Sequence, residues 1–278
     1  MVDWIGEFSV WVIALLILTG FVAGYIDAIA GGGGMIQTLA LLMTGLPAVN
    51  VIATNKMASI AGTSIAVFKY ARAKQIPWRL VGYCALPCLL AAALGSQLVM
   101  LFADAVIVTL LILCIPFALV VMMKKPKRLS QVDTPASTAT ADPIAVDPIT
   151  NKPLTAKQLR RRAALLLSPI AFYDGLIGPG TGAYMAIAGN RGLGLRFLTG
   201  TGLAKPLNLC TNLGSVVVFV IAGKIVWAIA IPMAIASMFG AYIGSHSAIK
   251  YGDGFIKKVI VGMLLLMLAV NLIKLVLN

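Results

Sequence analysis

The stretch GFVAGYIDAIAGGGGMI, residues 20–36, decides how this chain is read. It begins as an apolar helix, carries one carboxylate at Asp27 and breaks on four consecutive glycines, Gly31 to Gly34. Each glycine costs a helix about 1 kcal/mol relative to alanine. Apolar sequence resumes at Met35. A helix that restarts there offers bare N–H groups and a positive dipole end, which together form an anion-binding device. Inside a bilayer the freed backbone groups need partners in protein or in a water-filled cavity. The competing reading is a tight hairpin between closely packed helices.

The rest of the chain places this break in a membrane. Of 278 residues, 60% are hydrophobic and 11% charged, whereas a soluble domain carries about 25% charged residues. These values exclude disorder, and four cysteines are too few for a disulfide scaffold. A net charge of +13 suggests nucleic acid in a soluble protein. Here the basic residues cluster between apolar runs (Lys69 to Arg79, Lys124 to Arg128, Arg160 to Arg162, Lys250 to Lys258), as the positive-inside rule requires. No nucleic-acid partner is expected; the bilayer is the environment. Residues 1–9 contain Asp3 and Glu7 but no basic residue, so no signal-peptide n-region is expected.

Apolar runs and breakers divide the chain into ten segments: 8–30, 34–46, 50–69, 79–101, 105–123, 163–178, 181–190, 200–222, 226–246 and 256–276. Segments 34–46 and 181–190 are short, and each follows a glycine-rich break. Residues 1–123 form a first transmembrane repeat and 163–278 a second. Between them, 124–162 is a basic, Pro/Thr/Ala-rich cytoplasmic linker. An offset of 149 residues places Lys56 over Lys205, Trp78 over Trp227, Gly95 over Gly244 and Ser96 over Ser245. A two-residue slip brings Asp27 over Asp174 and the tetraglycine over Gly178-Pro179-Gly180-Thr181. The expected fold is all-α and polytopic, with two repeats of about five helical segments each. Five crossings per repeat invert the second against the first and put every strong basic cluster on the cytoplasmic face. The alternative makes the short segments re-entrant and leaves eight spans in parallel repeats, with the 250–258 basic cluster outside.

The candidate site follows from charges in apolar surroundings. Lys56 and Lys205 lie deep in their segments, where a lysine costs about 2.5–3.5 kcal/mol. Ser59 and Thr63 share the face of Lys56, and Asn208 and Asn212 that of Lys205. Asn55 adjoins Lys56. A cation among amide and hydroxyl donors suits an oxyanion; snorkelling to the interface is the plainer reading. Backbone donors are expected from Gly32, Gly33 and Gly34 and from Gly180, Thr181 and Gly182. Asp27 and Asp174 are the carboxylates within apolar runs. They can neutralise a lysine, carry a coupling proton or cap the glycine loop.

Other chemistries fit less well. Cys84 and Cys88 share a helix face, so a transmembrane thiol redox carrier is the rival from another class; small apolar filling is the simpler role. His246 stands alone, so no metal site is expected. No P-loop or catalytic serine motif is present, so neither an enzyme nor a cofactor is expected. Transport would then draw on an ion gradient, with H+ or Na+ as coupling ion. Gly20-x-x-x-Gly24 and Gly240-x-x-x-Gly244 are close-packing faces, within the chain or between two copies in a homodimer.

These motifs resemble the sulfite exporter TauE/SafE family, also called the toluenesulfonate uptake permease family, and its YfcA-like bacterial members in particular. The resemblance rests on residues 20–36 with ATNKMASIAGTSIA (53–66), and on FYDGLIGPGTGAYM (172–185) with AKPLNLCTNLGSVVVFVIAGKIVW (204–227). It covers nearly the whole chain except about 129–158. It implies a multi-pass protein of the bacterial inner membrane that transports sulfite, sulfoacetate or another small organosulfonate, by export or by uptake. The family's motif residues correspond to Asp27, Gly31 to Gly34, Asn55, Lys56, Asp174, Gly178, Gly180, Gly182, Lys205, Asn208 and Asn212.

Overall fold

The computed structural model describes residues 10–111, 113 and 155–277. Much of the expected 124–162 linker, Cys114 and the segment after 113 lie outside the described residues. All regular structure among the described residues is helical: α1 (Val10–Ala30), α2 (Gly33–Leu42), α3 (Ala48–Arg72), α4 (Trp78–Val99), α5 (Ala156–Leu176), α6 (Thr181–Leu193), α7 (Phe197–Ile221) and α8 (Trp227–Leu277). Residues 104–111 are helical as well. A kink at Gly252 (φ 65°) divides α8. Five helices are long and apolar enough to span a membrane: α1, α3, α4, α7 and the Trp227–Ile256 part of α8.

The two short segments become α2 and α6, with 10 and 13 residues. At 1.5 Å per residue they reach about 15 and 20 Å, too short for a bilayer core of roughly 30 Å. Each folds back along the helix before it. Helix α2 packs along α1 and α6 along α5, where Gly192 near the end of α6 lies against Leu166. Each first pair is therefore a hairpin that enters and leaves on one side. This preserves the inversion reached by counting full crossings. At one end, Asn50 Nδ2 at the start of α3 donates to the Lys224 carbonyl just after α7. At the other end, Gly202 near the start of α7 packs on Gln75 just after α3. Helices α3 and α7 are thus antiparallel counterparts.

The repeats interlock. Helix α1 packs along α8 and α4 along α5, so the first helix of each repeat lies against the fourth of the other. Close approach explains the small residues there. A Cβ on Gly24 would fall 2.3 Å from the Ser237 carbonyl oxygen, and one on Gly244 2.3 Å from that of Tyr25. Both GxxxG faces are consumed within the chain. Gly95 meets Phe172 on α5 in the matching way, while Ser96 Oγ donates to the Gly175 carbonyl at 3.0 Å.

Helix α5 starts at Ala156, seven residues ahead of the expected 163. Thr155 and Gln158 form a capping box that starts it, so Lys157 and Arg160 to Arg162 are helical. Arg160 stacks on Tyr83 of α4 at 4.4 Å. This end of the molecule also carries Arg72, Arg79 and Arg196. The positive-inside rule makes it the cytoplasmic end.

Candidate functional site

The two glycine breaks, 147 residues apart in the chain, touch in space. Gly31 (φ 75°) lies so close to Gly182 that a Cβ on it would fall 2.3 Å from the Gly182 carbonyl carbon. The Ala183 N–H donates to the Gly31 carbonyl at 3.1 Å. A left-handed φ and the absence of a side chain are both required there. The N-termini of α2 and α6 consequently meet at the centre, and neither is capped by a side chain. The N–H groups of Gly34 and Gly182, second residues of their helices, have no intrahelical partner.

Around this junction lies a small polar cavity. Most of the expected site residues line it: Gly34, Asn55, Lys56, Ser59, Gly180, Thr181, Gly182, Asn208 and Asn212, with Asp27 and Asp174. Gly31 and Gly178 join them. Three expected residues do not line it. Gly32 is the N-cap of α2, and Gly33 packs against the Ala23 carbonyl and the Asp27 side chain. Lys205 is fully buried behind Asp27.

The lysines and carboxylates pair crosswise between the repeats. Lys56 Nζ lies 2.6 Å from Asp174 Oδ1, and Lys205 Nζ lies 3.6 Å from Asp27 Oδ2. Lysines 2% and 0% exposed do not snorkel; each is held by a carboxylate of the opposite repeat. Neither Asp caps the glycine loop through its side chain. It is the Asp27 main-chain carbonyl that accepts the Gly31 N–H, at 2.8 Å. The same carbonyl accepts from Lys205 Nζ.

Hydrogen bonds fix the cavity wall. Asn55 Nδ2 donates to Thr38 Oγ1 at 3.0 Å and to the Gly34 carbonyl at 3.4 Å. Ser59 Oγ donates to Gln37 Oε1 at 3.3 Å. Thr181 Oγ1 donates to the Gly178 carbonyl at 2.7 Å, and Thr211 Oγ1 to Asp174 Oδ2. The side-chain amides of Asn208 and Asn212 take no protein partner among the described residues. Sequence reading passed over Gln37 and Thr38 because α2 looks like one more apolar stretch. Two adjacent polar residues inside a short apolar run were the available signal, and both are buried.

An anion facing this wall would meet two helix N-termini, free amides and one ammonium group, that of Lys56, which is already paired with Asp174. The sequence comparisons agree with a transport role. The chain matches the sulfite exporter TauE/SafE family over residues 16–271.

The chain belongs to that family.

Among curated relatives, it is similar to a probable membrane transporter protein of Haemophilus influenzae, 30% identical over 269 residues and covering 95% of each chain. A probable membrane transporter protein ORF9 of Sinorhizobium is 31% identical, covering 90% of this chain and 88% of that one. The probable membrane transporter protein YfcA of Escherichia coli K12 is 28% identical over 90% of this chain and 85% of its own. No solved structure matches. This TauE/SafE member is therefore a multi-pass membrane transporter, not an enzyme.

Cys84 and Cys88 are buried as free thiols in the apolar core and do not line the cavity.

Proposed function

We propose that this protein is a secondary transporter of small sulfur-containing anions, sulfite or organosulfonates such as sulfoacetate, in the bacterial inner membrane. It works by alternating access of the central cavity, with export as its physiological direction. The observation that carries the reading is the meeting of two uncapped helix N-termini beside Lys56 in a buried polar cavity. A tetrahedral or trigonal S–O centre presents several acceptor oxygens, and charge-assisted N–H···O bonds from backbone, amide and ammonium suit it. The cavity is small, which favours ions of few heavy atoms. No bound cofactor is needed for this task.

The roles divide by position. Gly34 and Gly182 N–H groups donate to the anion, Lys56 brings its ammonium to it while paired with Asp174, the free amides of Asn208 and Asn212 fix its orientation, and Asn55 and Ser59 hold the wall beside it. Thr181 holds the Gly178 turn that shapes the wall. The test is uptake and counterflow in proteoliposomes with sulfite, sulfoacetate, sulfate and chloride. Sulfite or sulfoacetate should exchange at least tenfold faster than chloride, and Lys56→Ala should abolish the difference. Equal rates for Lys56→Ala and the wild type would remove the role of the Lys56 ammonium.

A further inference from the structure

The two crossed ion pairs are equivalent by repeat but not by surroundings. Asp174 is 2% exposed. Both its oxygens are taken, one by Lys56 and the other by Thr211. Asp27 is 20% exposed and sits 3.6 Å from Lys205. The position of Thr211 is taken in the first repeat by Gly62, at the 149-residue offset, and the Ser237 hydroxyl occupies the place its side chain would fill. Asp27 also lines a second small cavity, together with Gln37, Ser59, Thr63 and Ser237.

We propose that Asp27 is the proton-binding site of the transporter, reached through this second cavity, and that its protonation is obligatorily linked to anion binding. The inference rests on the anion reading above and deepens it. The charges are the argument. Asp27, Asp174, Lys56 and Lys205 are the charged groups in contact at the centre, and they sum to zero. Adding a monoanion to a neutral cluster in a low-dielectric interior leaves one uncompensated negative charge, which is costly. One proton passing from water to an Asp27 oxygen makes the cluster +1, and the anion returns it to zero. No other bond forms or breaks. Lys205 keeps a partner throughout, because the Asp27 main-chain carbonyl also accepts from it.

A metal cation fits less well. Na+ in this cavity would share Asp27 with an ammonium group already 3.6 Å away. A proton removes the carboxylate's charge without that repulsion. The titratable groups facing Asp27 are Lys205 on α7, Lys56 and Tyr70 on α3, and Asp174 across the cavity on α5. Helices α2 and α8 present only neutral Gln37 and Ser237 there. With a proton accompanying each monoanion, the membrane potential drops out. Direction then follows the combined anion and proton gradients, and export requires the anion gradient to be the larger.

The test uses isethionate, a sulfonate whose single charge is fixed between pH 5 and 9, beside sulfite and sulfoacetate. Purified protein is titrated by thermal shift across that range, and transport is followed in proteoliposomes with an internal pH dye and a current readout. Wild type should lose about tenfold in isethionate affinity per pH unit on the alkaline side. It should move one proton per anion and produce no net current. Asp27→Asn, checked for folding by its melting temperature, should bind with pH-independent affinity, and Asp27→Glu should restore the slope. Wild-type binding that ignores pH, an Asp27→Asn slope equal to wild type, or an anion current without protons would overturn the proton site alone. No binding of any of the three anions at any pH would remove the anion reading, and this inference with it.

Discussion

Removing the Asp174 carboxylate isolates one of the two lysines at the centre of the protein. In Asp174→Asn, the Lys56 ammonium, now 2% exposed and 2.6 Å from a carboxylate oxygen, faces a neutral amide. Breaking a buried pair by deleting one partner costs about 3–5 kcal/mol, because the remaining charge stays buried. At about 2–4 °C per kcal/mol for a chain of this size, melting in detergent should fall by roughly 6–20 °C. The double variant Lys56→Met/Asp174→Asn removes both charges and should recover most of that loss, with a coupling energy of about 2–3 kcal/mol. Asp27→Asn should cost less than half as much as Asp174→Asn. Its pair is longer, Asp27 is a fifth exposed, and Lys205 retains the Asp27 carbonyl. The assay is thermal unfolding of the wild type, these three variants and the Lys56→Met single variant that completes the cycle, followed by tryptophan fluorescence. Strictly additive losses in the double variant, or equal losses for Asp27→Asn and Asp174→Asn, would refute the crossed-pair reasoning.

Gly182→Ala places a methyl 2.8 Å from the Gly31 Cα, with only backbone to give way. It should abolish transport and lower expression, whereas Gly82→Ala, with nothing within 4 Å, should leave both unchanged in the same assay. A variant lacking all four cysteines should transport at near wild-type rates, since three of them are free thiols outside the cavity lining; loss of transport with an intact melting temperature would revive thiol chemistry. In that background, Lys74→Cys and Lys224→Cys should react with an impermeant thiol reagent from opposite sides of the membrane, the first only from the cytoplasm. Labelling of both from one side would undo the inverted arrangement.

Much of the fold was legible from composition and spacing. Long apolar runs can bury their backbone only as helices in lipid. The coincidence of Lys56 with Lys205, and of Trp78 with Trp227 at the starts of α4 and α8, exposed the duplication. Charge clusters supplied the orientation. Element boundaries were less legible where local chemistry competed with hydropathy. The capping box of Thr155 and Gln158 begins α5 in polar sequence that hydropathy assigns to a linker. The short segments could be seen as short, but whether they crossed or doubled back depended on what packed beside them.

The site divides along the same line. Which residues are candidates for its chemistry is written in the one-dimensional pattern, because a lysine, an aspartate or a tetraglycine inside an apolar run is costly wherever the helix goes. Who partners whom is not written there. Thr54, two residues before Lys56, accepts the Val226 N–H at 3.1 Å and so ties down the turn between α7 and α8. Lys56 and Lys205 match in sequence, yet one lines the cavity and the other stands behind a carboxylate. The pairs cross between repeats because the inverted halves interlock, which brings Asp174 to Lys56 and Asp27 to Lys205. The pairs also differ in their surroundings: Thr211 donates to Asp174 in one half, and Gly62 stands at its place in the other. That difference has meaning only once the helices are packed, because the energy of a buried charge is set by the atoms around it and not by its neighbours along the chain.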